Sequence, residues 1–239
     1  MNKLNLLSIL KDYQTARATA VVLCNMQLTK IPPELIDMFP DLEELDLSEN
    51  GITEIDSLAA LTKLKVLKLD DNPTENIQAL EKLTELVSLS IKQTQQAQSA
   101  KTVTKQQNIQ QEFSQQQSNE FVRLPLDISP ILGLQKLKSL YLDYRTIRGE
   151  ENLMSLSSLT TLSMNGHNFY PSNIFYHSDL EALMLNETGL SELSFLVAFP
   201  KLKVFHADNN YLQDISPLNA LINLEILSLK GNQNTDISP

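Results

Sequence analysis

Residues 42–61 read LEELDLSENGITEIDSLAAL, with leucine or isoleucine at positions 1, 4, 6, 11, 14, 17 and 20 and asparagine at position 9. The same spacing recurs at residues 64–83 and 202–221. Looser copies begin at Leu86, Leu137, Leu159, Leu180 and Leu224, and a degenerate first copy begins at Ala18. The chain therefore contains about nine repeats of about 22 residues, a period typical of a solenoid.

This spacing predicts the shape of each repeat. Positions 4 and 6 share one face of a short strand, because side chains alternate along a strand. Positions 11, 14, 17 and 20 recur every three residues, which favours 3₁₀ turns. One repeat cannot bury its leucines alone, so neighbours must stack. The predicted fold is an α/β solenoid, a right-handed horseshoe with a parallel sheet on the concave face and 3₁₀ or irregular turns on the convex face.

Two recurring features support this architecture. The phrase DISP occurs at residues 127–130, 214–217 and 236–239 and predicts a convex corner, with Ile215 in the core and Pro217 at a turn position that needs no backbone donor. Asparagine at position 9 is expected to bond buried backbone groups where each strand ends. It is present as Asn50, Asn72, Asn210 and Asn232 and is replaced by Met26, Thr94, Arg145, His167 and Thr188. We expect His167 to be a hydrogen-bonded substitute.

The repeats resemble the leucine-rich repeat superfamily over residues 18–239. More narrowly they are similar to its 22-residue class, which includes the internalin-type proteins of bacteria and the leucine-rich repeat regulatory subunit of type-1 protein phosphatase. Phrases such as TDISPL are common in the internalin type, and this resemblance favours a bacterial source. It implies a binding scaffold but does not identify the partner, because one fold serves many functions.

The repeat pattern divides the chain into a short N-terminal segment and one repeat domain. In residues 1–17, the apolar side chains Leu4, Leu7, Ile9 and Leu10 predict an amphipathic helix that caps the core. The competing interpretation is a signal peptide, but the apolar run is short and is interrupted by polar residues. Residues 18–239 form the repeat domain, and no stretch reaches transmembrane length.

A glutamine-rich insertion at residues 95–123 interrupts the repeats and contains no glycine or proline. Its composition favours a flexible loop, because it offers little apolar surface to bury. The alternative is a helix with Val103, Ile109 and Phe113 as a thin apolar stripe, since glutamine, glutamate and lysine are good helix formers. Such a helix would fold over the sheet or contact a partner.

Composition narrows the classes of partner and compartment. A net charge of −10 argues against nucleic acid or anionic membrane as a direct ligand. The charge favours association with a basic partner, or serves solubility alone. The single cysteine, Cys24, excludes an internal disulfide and fits a reducing compartment, which predicts a cytoplasmic protein with non-classical export left open. We interpret Cys24 as an incidental small residue, with a reactive thiol as the alternative.

Positions 3, 5 and 7 should project from the concave face of the sheet. In the N-terminal half they and their neighbours form an acidic patch of Glu44, Asp46, Asp70 and Asp71. Carboxylates suggest calcium, but Asp46 should face Lys68 and Asp70 should face Lys92 in adjacent strands. Charge pairing accounts for these residues, so no metal or other cofactor is predicted.

In the C-terminal half, a second group of concave residues is more varied, with two tyrosines and several apolar side chains. We call this group the C-terminal surface: Tyr141, Asp143, Tyr144, Asn165, Met184, Asn186, Val204, His206, Asp208 and Ile226. Tyrosine is common at binding hot spots, and exposed apolar patches often mark interaction sites. The surface is predicted to contact a partner, with an ordinary solvated sheet or burial by further repeats as alternatives.

Catalytic motifs are lacking in the sequence. His167, His177 and His206 share no metal-like spacing with Cys24, and a His206–Asp208 pair has no nucleophile beside it. The predicted function is a non-catalytic module that binds a protein or peptide through its concave face. The alternatives are an acidic inhibitor or immunity-type protein that blocks a basic active site such as a toxin's, and a structural piece of a larger assembly.

The last repeat, residues 224–239, lacks the remainder of its return path. An unprotected edge strand is usually avoided in natural proteins. We expect that the sequence is part of a longer protein or has an unusually short cap, with pairing of two chains through this edge as the alternative. The expected oligomeric state is a monomer or a weak homodimer through the C-terminal edge.

Overall fold

The computed structural model of the protein describes residues 3–94, 125–144, 146–167 and 179–233. The glutamine-rich insertion, the third DISP copy, Arg145 and His177 lie outside these residues.

Within the described ranges, nine short strands form one parallel sheet on the concave face. Each strand covers positions 3 to 5 of its repeat: β1 Ala20–Val22, β2 Glu44–Asp46, β3 Val66–Lys68, β4 Ser88–Ser90, β6 Ser139–Tyr141, β8 Thr161–Ser163, β9 Ala182–Met184, β10 Val204–His206 and β11 Ile226–Ser228. The strands lie in the order of the sequence. Neighbouring strands pair position for position, as the repeat spacing predicts. The pairing of Ser88 with Ser139 shows that the sheet continues directly past the insertion.

The core lies behind the sheet and is filled by the periodic leucines. The side chain at position 4 is at most 1% exposed in every strand from β1 to β10 of this sheet. Each such burial stabilises the fold by about 1.5–3 kcal/mol, because apolar surface leaves water. In β11 the equivalent residue, Leu227, is 45% exposed, since no described residue stacks on its outer side.

The N-terminal segment forms helix α1, Lys3–Thr15, which agrees with the predicted capping helix. Leu6 and Leu10, one helical turn apart, are buried in the core beside the first repeats. Leu6 was absent from the predicted apolar stripe, because helix phase is hard to judge from a short segment. None of the helices in the described ranges is long and apolar enough to span a membrane.

The return paths of the described repeats contain one short α-helix, α2 at Pro33–Met38, and a series of 3₁₀ helices. The 3₁₀ helices span Asp56–Ala60, Gln78–Lys82, Ser129–Ile131, Glu150–Ser155, Ser194–Ala198 and Ser216–Ala220. This confirms the turns predicted from the three-residue spacing of positions 11 to 20. The small period lets each turn place one leucine or isoleucine in the core.

The described DISP copies open two of these 3₁₀ turns. Asp127 Oδ1 accepts a hydrogen bond from the Ser129 amide at 2.9 Å, and Asp214 Oδ1 accepts one from the Ser216 amide at 2.8 Å. The pKa of Asp127 is lowered by a hydrogen bond from the Ser129 hydroxyl together with the amide bond, and the pKa of Asp214 is lowered chiefly by the Ser216 amide. The predicted corner is therefore confirmed, and the aspartate bonds the amide two residues later, a local contact that the repeat pattern did not predict.

A second, two-stranded parallel sheet was not predicted. It joins β5 at Leu126–Asp127 to β7 at Ile147–Arg148. The apolar residue of each strand, Leu126 or Ile147, is buried in the core. Arg148 also bridges to Asp127, with 2.8 Å between Nη2 and Oδ2.

Candidate functional site

The strand pairing places the concave residues in straight rows across the sheet. Position 5 aligns Tyr141, Ser163, Met184, His206 and Ser228 in successive strands, as predicted. Position 3 aligns Ser139, Thr161, Ala182, Val204 and Ile226. Because strands in a sheet lie about 4.8 Å apart, each row brings side chains from distant parts of the chain into contact range.

Two of the four residues of the acidic patch are paired with lysines. Asp46 Oδ2 lies 3.4 Å from Lys68 Nζ, and Asp70 Oδ2 lies 3.7 Å from Lys92 Nζ. The predicted cross-strand pairing is therefore confirmed. Asp71 Oδ1 accepts the amide of Thr94 at 2.6 Å, while Glu44 is exposed. In the described part of the chain, no group of three or more His, Cys, Asp or Glu side chains is arranged to hold a metal ion.

The C-terminal surface contains a contiguous apolar row. Ala182, Val204 and Ile226 are direct neighbours at position 3 of β9, β10 and β11. Met184 and His206 lie beside them at position 5. Ile226 is 53% exposed and the other four are partly buried. The sheet thus presents apolar side chains to the concave space instead of to the core.

Side chains at position 7 form a hydrogen-bond ladder that was not predicted from the sequence. In this ladder the side-chain oxygen of each position-7 residue accepts a hydrogen bond from the backbone amide of the position-7 residue in the next repeat. The distances are 2.7–2.9 Å, and the acceptors are Asp70, Asp143, Asn165, Asn186 and Asp208. The ladder therefore links successive repeats just beyond the strands themselves.

Serines at position 5 reinforce the ladder. Asp143 Oδ1 also accepts the Ser163 hydroxyl at 2.5 Å, and Asp208 Oδ1 accepts the Ser228 hydroxyl at 2.6 Å. The same arrangement joins Ser90 to Asp70. Four residues predicted to contact a partner thus bond the scaffold through Oδ1, and Asp143 is only 9% exposed. The sequence signal for this serine–aspartate bond is an aspartate followed by a serine 20 residues later, where the insertion does not separate the two residues.

Tyr144 occupies a special backbone position at the end of the concave strands. Position 8 adopts a left-handed conformation with positive φ in eight of the described repeats: Asn25, Glu49, Asp71, Tyr144, Gly166, Glu187, Asn209 and Gly231. Such a conformation is uncommon for a bulky residue. It lets the chain turn sharply from the strand into the return path.

The Tyr144 ring lies over Gly166, the residue at position 8 of the next repeat. A Cβ on Gly166 would come within 2.1 Å of Tyr144 Cδ1, so only glycine leaves room for the ring. The ring ends in a hydrogen bond from the hydroxyl to Glu187 Oε1 at 3.2 Å. Tyr144 is therefore held in one orientation by the two following repeats.

Tyr141 links the acidic patch with the C-terminal surface. It lies between Ser90 and Ser163 in the position-5 row. Lys92 Nζ sits 5.6 Å from the ring centroid, within the range of a cation–π interaction. Lys92 thus contacts both Asp70 and Tyr141, which orders the centre of the concave face.

The position-9 residues have the predicted structural role. Asn210 Nδ2 donates to the Leu185 carbonyl at 2.8 Å, and its Oδ1 accepts the amides of Thr188 and Leu190. His167 Nε2 bonds the carbonyl oxygen of Leu142 at 2.8 Å. Leu142 holds the same position in the repeat before His167 as Leu185 holds in the repeat before Asn210. The prediction of a bonded substitute is confirmed.

The surroundings of His167 and Cys24 perturb their protonation. Burial lowers the pKa of His167, while its bond to Leu142 and the nearby carboxylates of Asp143 and Glu150 act in the opposite direction. Burial raises the pKa of the Cys24 thiol, and the carboxylates of Glu49 and Asp46 raise it further. A raised pKa disfavours the thiolate, which is the nucleophilic form.

Sequence comparisons agree with the repeat pattern. A family model described as Leucine Rich repeats (2 copies) matches residues 40–82 and 200–239. Over 58 residues, the chain is 40% identical to Leucine-rich repeat-containing protein 56 of Homo sapiens. That match covers 24% of this chain and 11% of the human protein, so the chain spans a small part of that relative.

Solved structures extend the similarity to most of the chain. Internalin C2 from Listeria monocytogenes is 27% identical with a TM-score of 0.67, over 89% of this chain and 80% of that one. Internalin InlF from the same organism is 20% identical with a TM-score of 0.54, over 97% and 76%. The leucine-rich repeat ectodomain of the Arabidopsis thaliana receptor kinase GASSHO1/SCHENGEN3, in complex with CASPARIAN STRIP INTEGRITY FACTOR 2, is 19% identical with a TM-score of 0.53, over 87% and 23%.

Proposed function

Because the chain is a leucine-rich repeat protein that resembles the internalin-type proteins, we propose that it is a non-catalytic module that binds a partner protein or peptide through its concave face. The observation that carries this proposal is the apolar row of Ala182, Val204 and Ile226, with Met184 beside it. These side chains point away from the core, and exposed apolar patches commonly mark interaction sites.

Rigidity of the surface also supports binding. The position-7 ladder and the packing of Tyr144 over Gly166 hold the side chains before any partner arrives. A preorganised surface loses less conformational entropy when it binds, so more of the contact energy appears as affinity. Tyr141 and Tyr144 provide aromatic area of the kind that dominates many interfaces.

The test is partner capture followed by substitution. The folded chain is used to capture proteins from a lysate of its source cells, and captured proteins are identified by mass spectrometry. Binding of each is then compared for the Tyr141→Ala and Tyr144→Ala variants, with Lys82→Ala, in the 3₁₀ turn Gln78–Lys82 of a return path, as a control outside the concave face. We expect both tyrosine variants to weaken binding about tenfold or more. Binding that is unchanged in both variants would remove the C-terminal surface from the proposal.

Gly166 offers a second route to the same question. Gly166→Ala leaves Tyr144 in the chain but displaces its ring, because the new Cβ would overlap Cδ1. The matched control is Gly189→Ala, since Gly189 also has a positive φ (+77°) but has open space around its Cβ position. Both variants strain the backbone, and only Gly166→Ala should weaken binding as Tyr144→Ala does.

A second candidate is an acidic inhibitor that blocks a basic active site. Its support is the net charge of −10 together with exposed Glu44 in the acidic patch. The ion pairs of Asp46 with Lys68 and of Asp70 with Lys92 weaken this case, because they neutralise much of the patch. Affinity that falls steeply with salt and is lost in Glu44→Gln, with Tyr141→Ala unaffected, would favour the inhibitor.

A further inference from the structure

We infer that the partner presents an uncharged segment to positions 3 and 5 of strands β6 to β11, with its apolar side chains against β9 to β11, and that charge contributes little to its affinity. This inference rests on the proposed function and specifies its ligand. It concerns the chemistry of a partner segment, which neither the repeat pattern nor the net charge indicates.

The two halves of the concave sheet differ in charge. In β2 and β3, positions 3 and 5 carry Glu44, Asp46 and Lys68. From β6 to β11, the ten residues of the main sheet at these positions include no Asp, Glu, Lys or Arg. They are Ser139, Tyr141, Thr161, Ser163, Ala182, Met184, Val204, His206, Ile226 and Ser228. The C-terminal half therefore offers a basic partner no carboxylate in the rows that face it most directly.

Two carboxylates at position 7, those of Asp143 and Asp208, belong to the ladder. Asp143 Oδ1 and Asp208 Oδ1 each accept one serine hydroxyl and one backbone amide. Each of these oxygen atoms therefore already has two hydrogen-bond donors within the protein. Their main effect is thus to hold neighbouring repeats together, and their exposure to a partner is limited.

Ion pairs at the entrance to the strands are also satisfied within the protein. Lys203 and Glu181 both occupy position 2, in adjacent repeats, and Lys203 Nζ lies 2.9 Å from Glu181 Oε2. Lys201 forms a second ion pair, with Asp179 of the neighbouring repeat. These bridges flank the apolar row without leaving a block of one sign. Electrostatic complementarity therefore points to a neutral ligand segment at this part of the sheet.

The distance across the sheet from β6 to β11 sets the length of the partner segment that can lie along it. Strands β6, β8, β9, β10 and β11 are successive neighbours. Four spacings of about 4.8 Å give a row about 19 Å long, which matches about six extended residues at about 3.3 Å each. Apolar side chains at Ala182, Val204 and Ile226 increase in size toward β11, so the bulkiest ligand contacts are expected at the β9 end.

Panning of phage-displayed random dodecapeptides against the immobilised full chain tests the inference. The enriched peptides are synthesised with a fluorescent label and their affinities are measured by anisotropy. We expect uncharged, apolar sequences whose Kd changes less than about twofold between about 50 and 500 mM NaCl, because screening acts on charges. Val204→Glu should weaken them about tenfold or more, since it buries a charge against apolar groups.

Asp208→Asn tests the charge at the edge of the surface directly. Asparagine keeps an Oδ1 acceptor for the ladder but removes the charge, so the inference predicts a change in affinity of less than about twofold. The control is Glu192→Gln, because Glu192 is exposed on a return path, where its side chain bonds Ser194. Circular dichroism checks that the variants fold. Peptides that depend on Val204 but are rich in lysine or arginine, lose affinity in high salt, or respond to Asp208→Asn would overturn the inference and leave the proposed function intact. If no enriched peptide depends on Val204 or Tyr141, the proposed binding surface fails, and this inference fails with it.

Discussion

Replacing Asn72 by alanine tests whether position 9 holds the repeats together. The Asn72 side chain is fully buried. Its Oδ1 accepts the amide of Ile52 at 3.0 Å. Its Nδ2 donates to the carbonyls of Leu47 at 2.8 Å and of Leu69 and Asp70 at 3.2 Å. Alanine leaves all four backbone groups without this side chain, in a region where water is excluded.

The expected cost follows from which groups have another partner. The Leu47 carbonyl also receives Asn50 Nδ2 at 2.8 Å, and the Asp70 carbonyl also receives the Glu49 amide at 2.8 Å. The Ile52 amide and the Leu69 carbonyl lose their hydrogen bond to the asparagine. An unsatisfied buried polar group costs about 1–3 kcal/mol, so Asn72→Ala should lower the free energy of unfolding by about 2–6 kcal/mol.

Urea unfolding followed by far-UV circular dichroism measures this loss. The control is Asn152→Ala, because Asn152 is exposed and its Nδ2 bonds the adjacent Glu151 side chain. We expect the control to lie within about 0.5 kcal/mol of the parent chain. The slope with urea must match the parent's for the comparison to hold, since repeat proteins can lose cooperativity. A loss below about 1 kcal/mol for Asn72→Ala would refute the proposed role of position 9.

Three further outcomes are expected. Leu67→Ala should lower the free energy of unfolding by about 2–5 kcal/mol and Leu227→Ala by clearly less, because the same repeat position is buried in β3 and 45% exposed in β11. Equal losses for the two variants in urea unfolding would contradict this expectation. Burial lowers the pKa of His167, so the unfolded chain binds a proton that the folded chain excludes. Stability should therefore fall below about pH 6.5, by at most about 1.4 kcal/mol per pH unit, and His167→Asn should reduce that slope; an unchanged slope would exclude His167 as its source. Because the pKa of Cys24 is raised, iodoacetamide should alkylate it more slowly at neutral pH in the folded chain than in urea, and equal rates by mass spectrometry would count against partial burial of the thiol.

Much of the architecture could be predicted from the sequence because a solenoid is organised by neighbours. Each repeat contacts only the next, so a fixed spacing of leucines specifies both the core and the alignment of strands. For this reason the pairing of Asp46 with Lys68 was predictable from residue numbers alone. The role of His167 followed from the same alignment, since its position in the repeat is that of a buried asparagine.

The candidate site was less predictable, because a position in a row does not reveal where the polar atoms point. Asp143 and Asp208 were assigned to partner contact from their place on the concave face. The sequence did not predict that their Oδ1 atoms bond the next repeat. The orientation of Tyr144 depends on the missing side chain of Gly166, 22 residues later. Neither effect appears in residue type or periodicity.

The sequence by itself determined the repeat, the buried leucines and the residues that share each row of the sheet, because these follow from spacing and from the exclusion of apolar groups from water. Only the tertiary structure decided which concave side chains bond the scaffold and which face the concave space. That choice depends on distances of about 3 Å between polar atoms in different repeats, and hydrogen bonds are made or lost at that scale.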